Sequence, residues 1–377
     1  MLYKFNRLNC RCCERPTICY VVPPYILKHL ADTATDPQLQ AAASQALFER
    51  KAVQQTRNFW ASQAAQPPAA PAAGAAPSPT KNRQIWDCET TLNLQFKHVR
   101  SEGEDPTGDE DVNAAYDLSG ETWDFYQKVF GRNSIDGRGM DLISAVNYRN
   151  NYNNAFWNGE QMTYGDGDNK LFAKFVHFVD VVGHELTHGV IQFSPANLRY
   201  QAQSGALNES IADVFGSLIK QRMNGQTAEQ ADWLLGKGLL VPKEGAVRTA
   251  LRSMKDPGTA YDDPTPNGLG KDPQPKDMDG YVELPIDDDN DWGGVHIYSG
   301  IPNRAFYLTA VELGGNAWDR AGKIWYGVLT GGRLGRDATF SEMRALTVDY
   351  ARQHFDENVA RVVSAAWDEV KVEAPSA

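Results

Sequence analysis

Cysteine is scarce in this 377-residue sequence, and no uncharged apolar stretch is long enough to cross a membrane. Five cysteines, four of them within the first 19 residues, do not match the even, spaced set of a small disulfide-stabilised secreted domain. The longest early apolar run, residues 18–27, is interrupted by Pro23 and Pro24 and lacks a small-residue cleavage site, so it does not match a standard secretory signal. Hydrophobic residues make up 42% of the chain, which favours an ordinary globular core.

An excess of positive charge is also missing. The chain carries 37 Lys and Arg against 48 Asp and Glu, a net charge of −11, which argues against a general binder of nucleic acid or of an anionic membrane. The charge is uneven, because residues 1–60 carry a net +4 and the remaining residues carry −15. This asymmetry predicts a basic head on an acidic body, and the opposite signs are expected to favour docking of one on the other.

An Ala- and Pro-rich stretch separates the head from the body. Residues 61–80 carry no charge, and 14 of them are Ala or Pro, which predicts an extended linker that proteases can reach. In the head, Asp36 is expected to cap a helix that runs from Pro37 to about Trp60. Four cysteines of the head are expected to be reduced thiols, although a small metal site or local disulfides stay open; they are Cys10, Cys12, Cys13 and Cys19.

Beyond the linker, strand-like patterns give way to helical ones. Alternating apolar residues predict strands at residues 85–86, 92–96, 99, 141–146 and 155–157, with a helix at 109–129 between them. Asp168 is expected to cap a helix over 169–192, and further helices are predicted at 206–223, 303–313, 317–329, 340–355 and 357–371. Residues 255–292 are predicted to form a long irregular loop. The order of the elements is typical of an α+β protein.

The body contains the motif His184-Glu185-Leu186-Thr187-His188. Two histidines four positions apart share one face of a helix, so both imidazoles can reach one zinc ion. Glu185 projects beside them and can accept a proton from a metal-bound water. Apolar residues around the motif favour a buried helix, but the motif alone leaves open a helix with two ordinary histidines.

A second motif, SGALNESIAD at residues 204–213, offers a third metal ligand. Two histidines, one glutamate and an open water position form a recognised catalytic zinc site, which makes Glu209 the candidate. Asp213 lies one helical turn later and is expected to accept the second N–H of a ligand histidine. The alternative is a solvated acidic face, which the surrounding apolar residues disfavour.

A third motif, DWGGVHIYSGIPN at residues 291–303, presents His296 after two glycines. Asp291 is placed to hold the imidazole of His296. Taken alone, a histidine beside glycines is more often a turn residue than a catalytic one.

These three motifs, preceded by NNAFWNGEQMTYGDGD at 153–168, resemble the thermolysin family of zinc metalloendopeptidases over roughly residues 95–370. VVPPYILKHL, at 21–30, resembles the short propeptide of the protealysin-like branch. The resemblance implies a two-lobed α+β fold, with the active-site cleft between an N-terminal α/β lobe and a C-terminal mainly helical lobe. The implied segments are a propeptide at 1–60, a linker with the processing site at 61–80, and lobes at 81–183 and 184–377.

The resemblance also implies a role for each motif residue. His184, His188 and Glu209 would bind one catalytic zinc, Glu185 would activate the water, and Asp213 would orient His184. Tyr200 and His296 would stabilise the oxyanion, with Asp291 orienting His296. Other residues would bind the substrate backbone or line an apolar pocket for a bulky residue just after the scissile bond; they are Asn154, Ala155, Arg252, Phe172, Phe175, Val181 and Leu251.

The paired calcium site of the family is expected to be lost, although bound Ca²⁺ stays possible. Its carboxylates would cluster near Asp180, and the counterparts here include Lys220 and, less clearly, Leu234 and Lys237. A lysine could replace the ions by pairing with Asp180, whose carboxylate would otherwise lack a counter-charge.

The expected function is therefore a zinc-dependent neutral endopeptidase that is made as a zymogen and is inhibited by its own propeptide. It would hydrolyse peptides and proteins by Glu185-assisted attack of zinc-bound water, as a monomer, with no nucleic-acid or membrane partner. The family suggests secretion, with a cytoplasmic location as the alternative. Two other functions stay open, a zinc aminopeptidase and a catalytically inert zinc-stabilised binding module.

Overall fold

The computed structural model describes residues 19–48 and 79–375. The head contributes strand β1 (Cys19–Tyr20), helix α1 (Pro24–Thr33) and helix α2 (37–48). The first part of the body contains β2 (Arg83–Asp87), β3 (Lys97–Ser101), α3 (Glu110–Phe130), β4 (Leu142–Val146), β5 (Ala155–Trp157) and β6 (Met162–Tyr164). No helix of these residues combines the length and apolar character that a membrane span requires.

The remaining elements are mainly helical. The long helices are α4 (Val179–Gln192), α5 (Ala202–Met223), α6 (Asp291–Tyr298), α7 (Gly300–Leu313), α8 (Lys323–Thr330), α9 (Phe340–His354) and α10 (Glu357–Glu369). Short strands β7 (Leu234–Leu235), β8 (Val247–Arg248), β9 (Arg252–Ser253), β10 (Tyr261–Asp263) and β11 (Gly270–Lys271) lie between α5 and α6. The predicted α+β class is confirmed.

One six-stranded sheet joins the head to the body, in the order β1-β5-β6-β4-β2-β3. Strand β4 lies parallel to both β2 and β6, whereas β5 runs antiparallel to β6 and is the last strand that the body contributes at that side. Strand β1 of the head completes the sheet by pairing antiparallel with β5. The exposed side of β5 is therefore covered by a segment from before the linker.

Helices α4 and α5 pack unusually closely because glycines face each other where they cross. A Cβ atom at Gly216 would lie 2.5 Å from the carbonyl oxygen of Asp180, and one at Gly183 would lie 2.7 Å from a side-chain carbon of Ile219. Real side chains do not approach a backbone atom so closely, so a side chain at position 216 would force the two helices apart. The contact aligns the middle of α4 with the middle of α5, where the first two motifs lie.

Two predictions for the body are wrong. The helix predicted from residue 169 begins only at Val179, because Asp168 instead caps a tight turn by accepting the backbone N–H groups of Lys170, Leu171 and Phe172. A short 3₁₀ turn, Phe175–His177, then precedes α4. The strand predicted at 92–96 is a series of turns, and its apolar side chains do not reach the core, since Leu92 and Phe96 are 60% and 50% exposed.

The other boundaries differ by a few residues or by local geometry. Predicted helix 317–329 is divided into a π-helical turn, Trp318–Gly322, and α8. The predicted irregular loop at 255–292 contains β10, β11 and two 3₁₀ turns. The division of the body at residue 183 falls inside α4 and stays a prediction.

The head contains a helix that the sequence patterns did not predict. Pro23 and Pro24 interrupt the apolar run at 18–27, yet Pro23 is the N-cap of α1 and Pro24 its first residue, where proline needs no amide donor. The predicted second helix is present over 37–48, and its extension to Trp60 lies outside the described residues, as do the linker at 61–78 and Cys10, Cys12 and Cys13.

Lys220, the lysine expected to replace bound calcium, lies between two carboxylates. Its ammonium lies 3.0 Å from a carboxylate oxygen of Asp180 and 3.1 Å from one of Asp232, and it donates to the carbonyl of Leu234 at 2.5 Å. Burial opposes the charge on Lys220, but Asp180 and Asp232 outweigh it and raise the pKa of the lysine above its ordinary value. The predicted pairing of Lys220 with Asp180 is confirmed, so Asp180 has a counter-charge from the chain itself.

Replacement of Lys220 by methionine should destabilise the fold. The side chain of Asp180 is only 3% exposed, and removing its partner leaves a buried carboxylate without a counter-charge. We expect Lys220→Met to lower the free energy of unfolding by about 3 kcal/mol in urea denaturation.

Lys237→Met is the matched control, because Lys237 is 57% exposed and pairs with Asp232 at the surface. That variant should change stability by no more than about 0.5 kcal/mol. Equal effects of the two substitutions, or a large rise in the melting temperature of the unmodified protein on adding calcium, would contradict the account.

Candidate metal centre and active site

The two histidines of the first motif share one face of α4 and are fully buried. His184 is 0% and His188 is 3% exposed, and their Nε2 atoms lie 3.0 Å apart. Such close approach of two imidazole nitrogens is expected where both face one cation. The helix provides this placement directly, since residues four apart lie one above the other.

Helix α5 brings Glu209 to the same point. Its Oε2 atom lies 3.5 Å from Nε2 of His184, and its Oε1 atom lies 3.5 Å from Nε2 of His188. One donor atom from each of these three residues lies within 4.8 Å of the others. The arrangement depends on the close glycine-mediated contact between α4 and α5.

The outward nitrogen of each histidine has its own partner. Nδ1 of His184 lies 2.8 Å from Oδ1 of Asp213, as the sequence predicts, and Nδ1 of His188 lies 2.8 Å from Oδ1 of Asn208. A proton on each Nδ1, facing its oxygen, leaves Nε2 with a lone pair directed inward. These contacts favour the tautomer that binds a metal.

The charge state of the cluster also suits a cation. Burial lowers the pKa of His188 to about 3, so its ring is neutral. Burial opposes ionisation of Glu209, but the neighbouring imidazoles, His296 first, outweigh it and lower its pKa to about 2. Among the described residues Oε2 of Glu209 finds no hydrogen-bond partner although it is buried. An anionic oxygen without a donor, beside two inward lone pairs, fits the two-histidine, one-glutamate set of a catalytic zinc site.

Glu185 lies beside the cluster and is anchored by strand β5. The backbone N–H of Trp157 donates to Oε2 of Glu185 at 2.9 Å, whereas Oε1 has no hydrogen-bond partner among the described residues. Burial, and then the negative charge of Glu209, raises the pKa of Glu185 well above its ordinary value. One carboxylate oxygen of Glu185 is therefore fixed, and the other is available to accept a proton.

His296 approaches the same point from α6. Trp292, Gly293 and Gly294 have left-handed φ angles of 52°, 84° and 76°, which turn the chain sharply before His296. Asp291 holds the ring at Nδ1 over 2.7 Å and also accepts the backbone N–H of His296 at 2.8 Å. The predicted contact between Asp291 and the imidazole of His296 is thus present.

Tyr200 connects His296 to the metal cluster. Its hydroxyl lies 3.2 Å from Nε2 of His296 and donates to Oε1 of Glu209. The side chain is 4% exposed, so the contact is shielded from water. Two polar groups from different elements therefore meet on one side of the cluster.

The predicted substrate-binding residues are all buried. Asn154 precedes strand β5, which begins at Ala155, and Arg252 forms a two-bond ion pair with Asp213, with nitrogen-to-oxygen distances of 2.8 Å. The four predicted pocket residues are at most 2% exposed and belong to one continuous apolar core, together with Val21 of the head; they are Phe172, Phe175, Val181 and Leu251.

Three functional positions were not predicted from the sequence. Asn208 orients His188, the amide of Trp157 anchors Glu185, and Asn303 donates to Asp213 at 2.9 Å. The backbone amide of Trp157 has no sequence signal. The two asparagines lie inside motifs that were already identified, and the position of Asn208, one residue before Glu209, was the only available indication.

Comparison with known proteins agrees with this geometry. The profile "Thermolysin metallopeptidase, catalytic domain" matches residues 79–192, and "Thermolysin metallopeptidase, alpha-helical domain" matches residues 196–372. An extracellular metalloprotease of Pectobacterium carotovorum subsp. carotovorum is 45% identical over 360 residues, 96% of this chain and 98% of the relative. Protease PrtS of a Photorhabdus species is 50% identical over 295 residues, 78% of this chain and 77% of the relative.

A solved structure extends the likeness to the head. The precursor of protealysin, a metalloproteinase from Serratia proteamaculans, superposes with a TM-score of 0.81 at 43% identity. The match covers 94% of this chain and all of that one. These relatives favour an endopeptidase over the aminopeptidase and the inert binding module.

Removal of the Asn208 amide should weaken zinc binding. Without it, Nδ1 of His188 loses its acceptor and the ring is no longer held in one tautomer, a change that costs about 10- to 100-fold in metal affinity. We expect Asn208→Ala to show this loss in a zinc titration against a competing chromophoric chelator.

Ser217→Ala is the matched control for this experiment. Ser217 is equally buried in α5 but accepts a hydrogen bond only from Gln221, away from the cluster. Its zinc affinity should equal that of the unmodified protein. An affinity of Asn208→Ala within about twofold of the control would count against the assigned role.

Proposed function

This chain belongs to the thermolysin family of metallopeptidases, and on that premise we propose that His184, His188 and Glu209 hold its catalytic zinc. The protein is a metalloendopeptidase, a hydrolase of peptide bonds. The observation that carries the residue assignment is the convergence of two imidazole nitrogens and one glutamate carboxylate in a buried cluster. When bound, the zinc polarises a substrate carbonyl and lowers the pKa of water towards neutrality.

Glu185 acts as the proton carrier of the reaction. The amide of Trp157 fixes one oxygen of the carboxylate, and the other oxygen has no protein donor to compete for it among the described residues. Glu185 accepts a proton from the attacking water and passes it to the nitrogen of the leaving amine. A positioned acid–base group of this kind contributes about 10²- to 10⁴-fold to the rate.

His296 and Tyr200 stabilise the oxyanion that develops on the substrate carbonyl. Both groups meet within 3.2 Å of each other beside the metal cluster, and Asp291 keeps His296 in place through its Nδ1 atom. Nε2 of His296 lies 3.1 Å from the carbonyl oxygen of Tyr20, so it is placed to donate to a carbonyl at this position. Donors placed in advance at the site of developing charge accelerate the chemical step rather than binding.

Strand β5 and its neighbours bind the substrate backbone. Once the head is removed, an extended peptide adds to the side of β5 that β1 covers, Asn154 binds its amide groups, and Arg252 binds a carbonyl. The apolar side chains around Val181 form the pocket for the residue just after the scissile bond. A buried apolar pocket at this position accounts for a preference for bulky apolar residues there.

The head inhibits the enzyme by occupying this cleft. Strand β1 covers the side of β5 that a substrate needs. Helix α1 buries Ile26, Leu27 and Leu30 against the body, and the backbone N–H groups of Thr35 and Asp36 both donate to Oδ1 of Asn267, at 2.6 and 2.8 Å. Processing within the linker, at about 61–82, separates the inhibitor from the enzyme.

Within residues 19–48 of the head, one ion pair with the body joins Asp36 to Lys170. The pair is exposed, so it is worth little. Seven of the eight basic residues of the head lie outside the described residues, so the expected attraction between a basic head and an acidic body stays a prediction. Within the described part of the head, apolar burial and backbone hydrogen bonds carry the interaction.

The protein acts on peptides and proteins, and we place its action outside the cell. Relatives named extracellular metalloproteases support secretion. Inhibition by the head until processing fits a protease that must be carried safely through the cell that makes it. We propose a monomer, because every residue assigned above comes from one chain.

Glu185→Gln should keep zinc but lose activity. The amide is nearly the size of the carboxylate and preserves contact with Trp157, yet it cannot carry a proton. We expect kcat on a blocked peptide to fall by at least about 10²-fold while one zinc per chain remains, measured by atomic absorption. Glu160→Gln, at an exposed position between β5 and β6, is the control and should be fully active. Substantial peptidase activity of Glu185→Gln would refute the assignment.

Substrate choice tests the proposed pocket. In a series of peptides with both ends blocked, leucine just after the scissile bond should give a kcat/KM about 10- to 200-fold higher than alanine, because the longer side chain buries more apolar surface. Equal rates would contradict the pocket. Cleavage only of peptides with a free amino terminus would favour an aminopeptidase.

A further inference from the structure

The head strand lies in the cleft as an extended segment paired with β5. Strand β1 runs antiparallel to β5, with Tyr20 opposite Phe156. The next residue, Val21, donates its backbone N–H to the carbonyl of Ala155 at 3.2 Å. Residues 19–21 of the head therefore pair with successive residues of β5.

Side chains of the cleft bind the two residues that follow Tyr20. Arg252 donates to the carbonyl oxygen of Val21 at 3.2 Å. Asn154 accepts the N–H of Val22 at 3.0 Å through Oδ1 and donates to its carbonyl at 3.3 Å through Nδ2. These are the two residues assigned above to the backbone of a substrate.

One peptide bond of the head lies next to the catalytic groups. Nε2 of His296 is 3.1 Å from the carbonyl oxygen of Tyr20, and the same nitrogen is 3.5 Å from Oε1 of Glu209. The carbonyl of Tyr20 thus points at the proposed oxyanion donor and towards the metal cluster. The nitrogen on the other side of that bond, in Val21, is held by Ala155.

The side chains match the same register. Val21 and Val22 are 1% and 0% exposed, and Val21 belongs to the apolar core that contains Val181 and Leu251. Tyr20 packs on Phe156 with ring centroids 5.3 Å apart. A bulky apolar residue therefore follows the Tyr20 carbonyl, as the proposed pocket requires.

We propose that the Tyr20–Val21 bond is a cleavage site for the enzyme's own active site, distinct from the processing site in the linker; this rests on the proposed function. The oxygen of water adds to the carbonyl carbon of Tyr20, the bond to the nitrogen of Val21 breaks, and that nitrogen takes up a proton. The products are a carboxylate at Tyr20 and an amine at Val21. Helix α1 and the contacts with Asn267 still hold the downstream part, so the cleaved head leaves slowly and continues to inhibit.

The zinc-loaded full chain tests this in water enriched in heavy oxygen, and enzyme processed in the linker and freed of its head is assayed in parallel on a blocked peptide. Intact-mass analysis of the full chain should find a fragment that ends at Tyr20 with one heavy oxygen, and a partner that begins at Val21. The rate constant should not depend on protein concentration, because the bond is already in the site. Hydrolysis of the blocked peptide by the freed enzyme with Tyr20–Val21 intact in the full chain would overturn this inference and leave the proposed function standing, whereas hydrolysis of neither would overturn both.

Variants of the head distinguish selection of the Tyr20–Val21 bond from docking of the head on the body. Val21→Leu should preserve the cut, and Val21→Asp should slow it at least about 100-fold, because a carboxylate is excluded from the apolar pocket. Leu39→Asp is the matched control, since Leu39 is also buried but lies in α2, away from the bond. It should retain the Tyr20 fragment. Equal loss of the fragment in Val21→Asp and Leu39→Asp would overturn the assignment of the bond.

Discussion

The carboxylate of Asp213 connects the metal centre to the substrate cleft. Oδ1 of Asp213 lies 2.8 Å from Nδ1 of His184, and the two carboxylate oxygens accept the two hydrogen bonds that Arg252 donates. Burial opposes the charge, but Arg252 above all lowers the pKa of Asp213 well below its ordinary value, so the group stays ionised. Because Arg252 also reaches the carbonyl of Val21, the same buried anion positions a metal ligand and a substrate-binding side chain. Both functions depend on the close packing of α4 on α5.

Strand β5 has a comparable double role. Its backbone pairs with the head strand, and its Trp157 amide fixes Glu185. A segment that pairs with β5 is consequently brought to the catalytic carboxylate, whether it is a substrate or the head. Inhibition by the head and binding of substrates thus use one set of contacts, and no second conformation of the cleft is needed to explain either.

The sequence motifs predicted the central residues of the site but not the structure around them. His184, His188, Glu209 and Asp213 follow from helical spacing, because positions four apart must share a face. The start of α4 did not follow, since Asp168 caps a turn as readily as a helix and only tertiary contacts decide between them. Helix α1 was missed because two prolines indicate a turn unless they occupy the first positions of a helix.

The central claim is that the head and substrates compete for the same strand edge and the same catalytic groups. The direct measurement uses enzyme processed in the linker and freed of its head, with the released head added back at rising concentration. Competition predicts that KM for a blocked peptide rises with head concentration while kcat stays constant. A fall in kcat at constant KM would mean that the head inhibits from another surface, which would contradict the account.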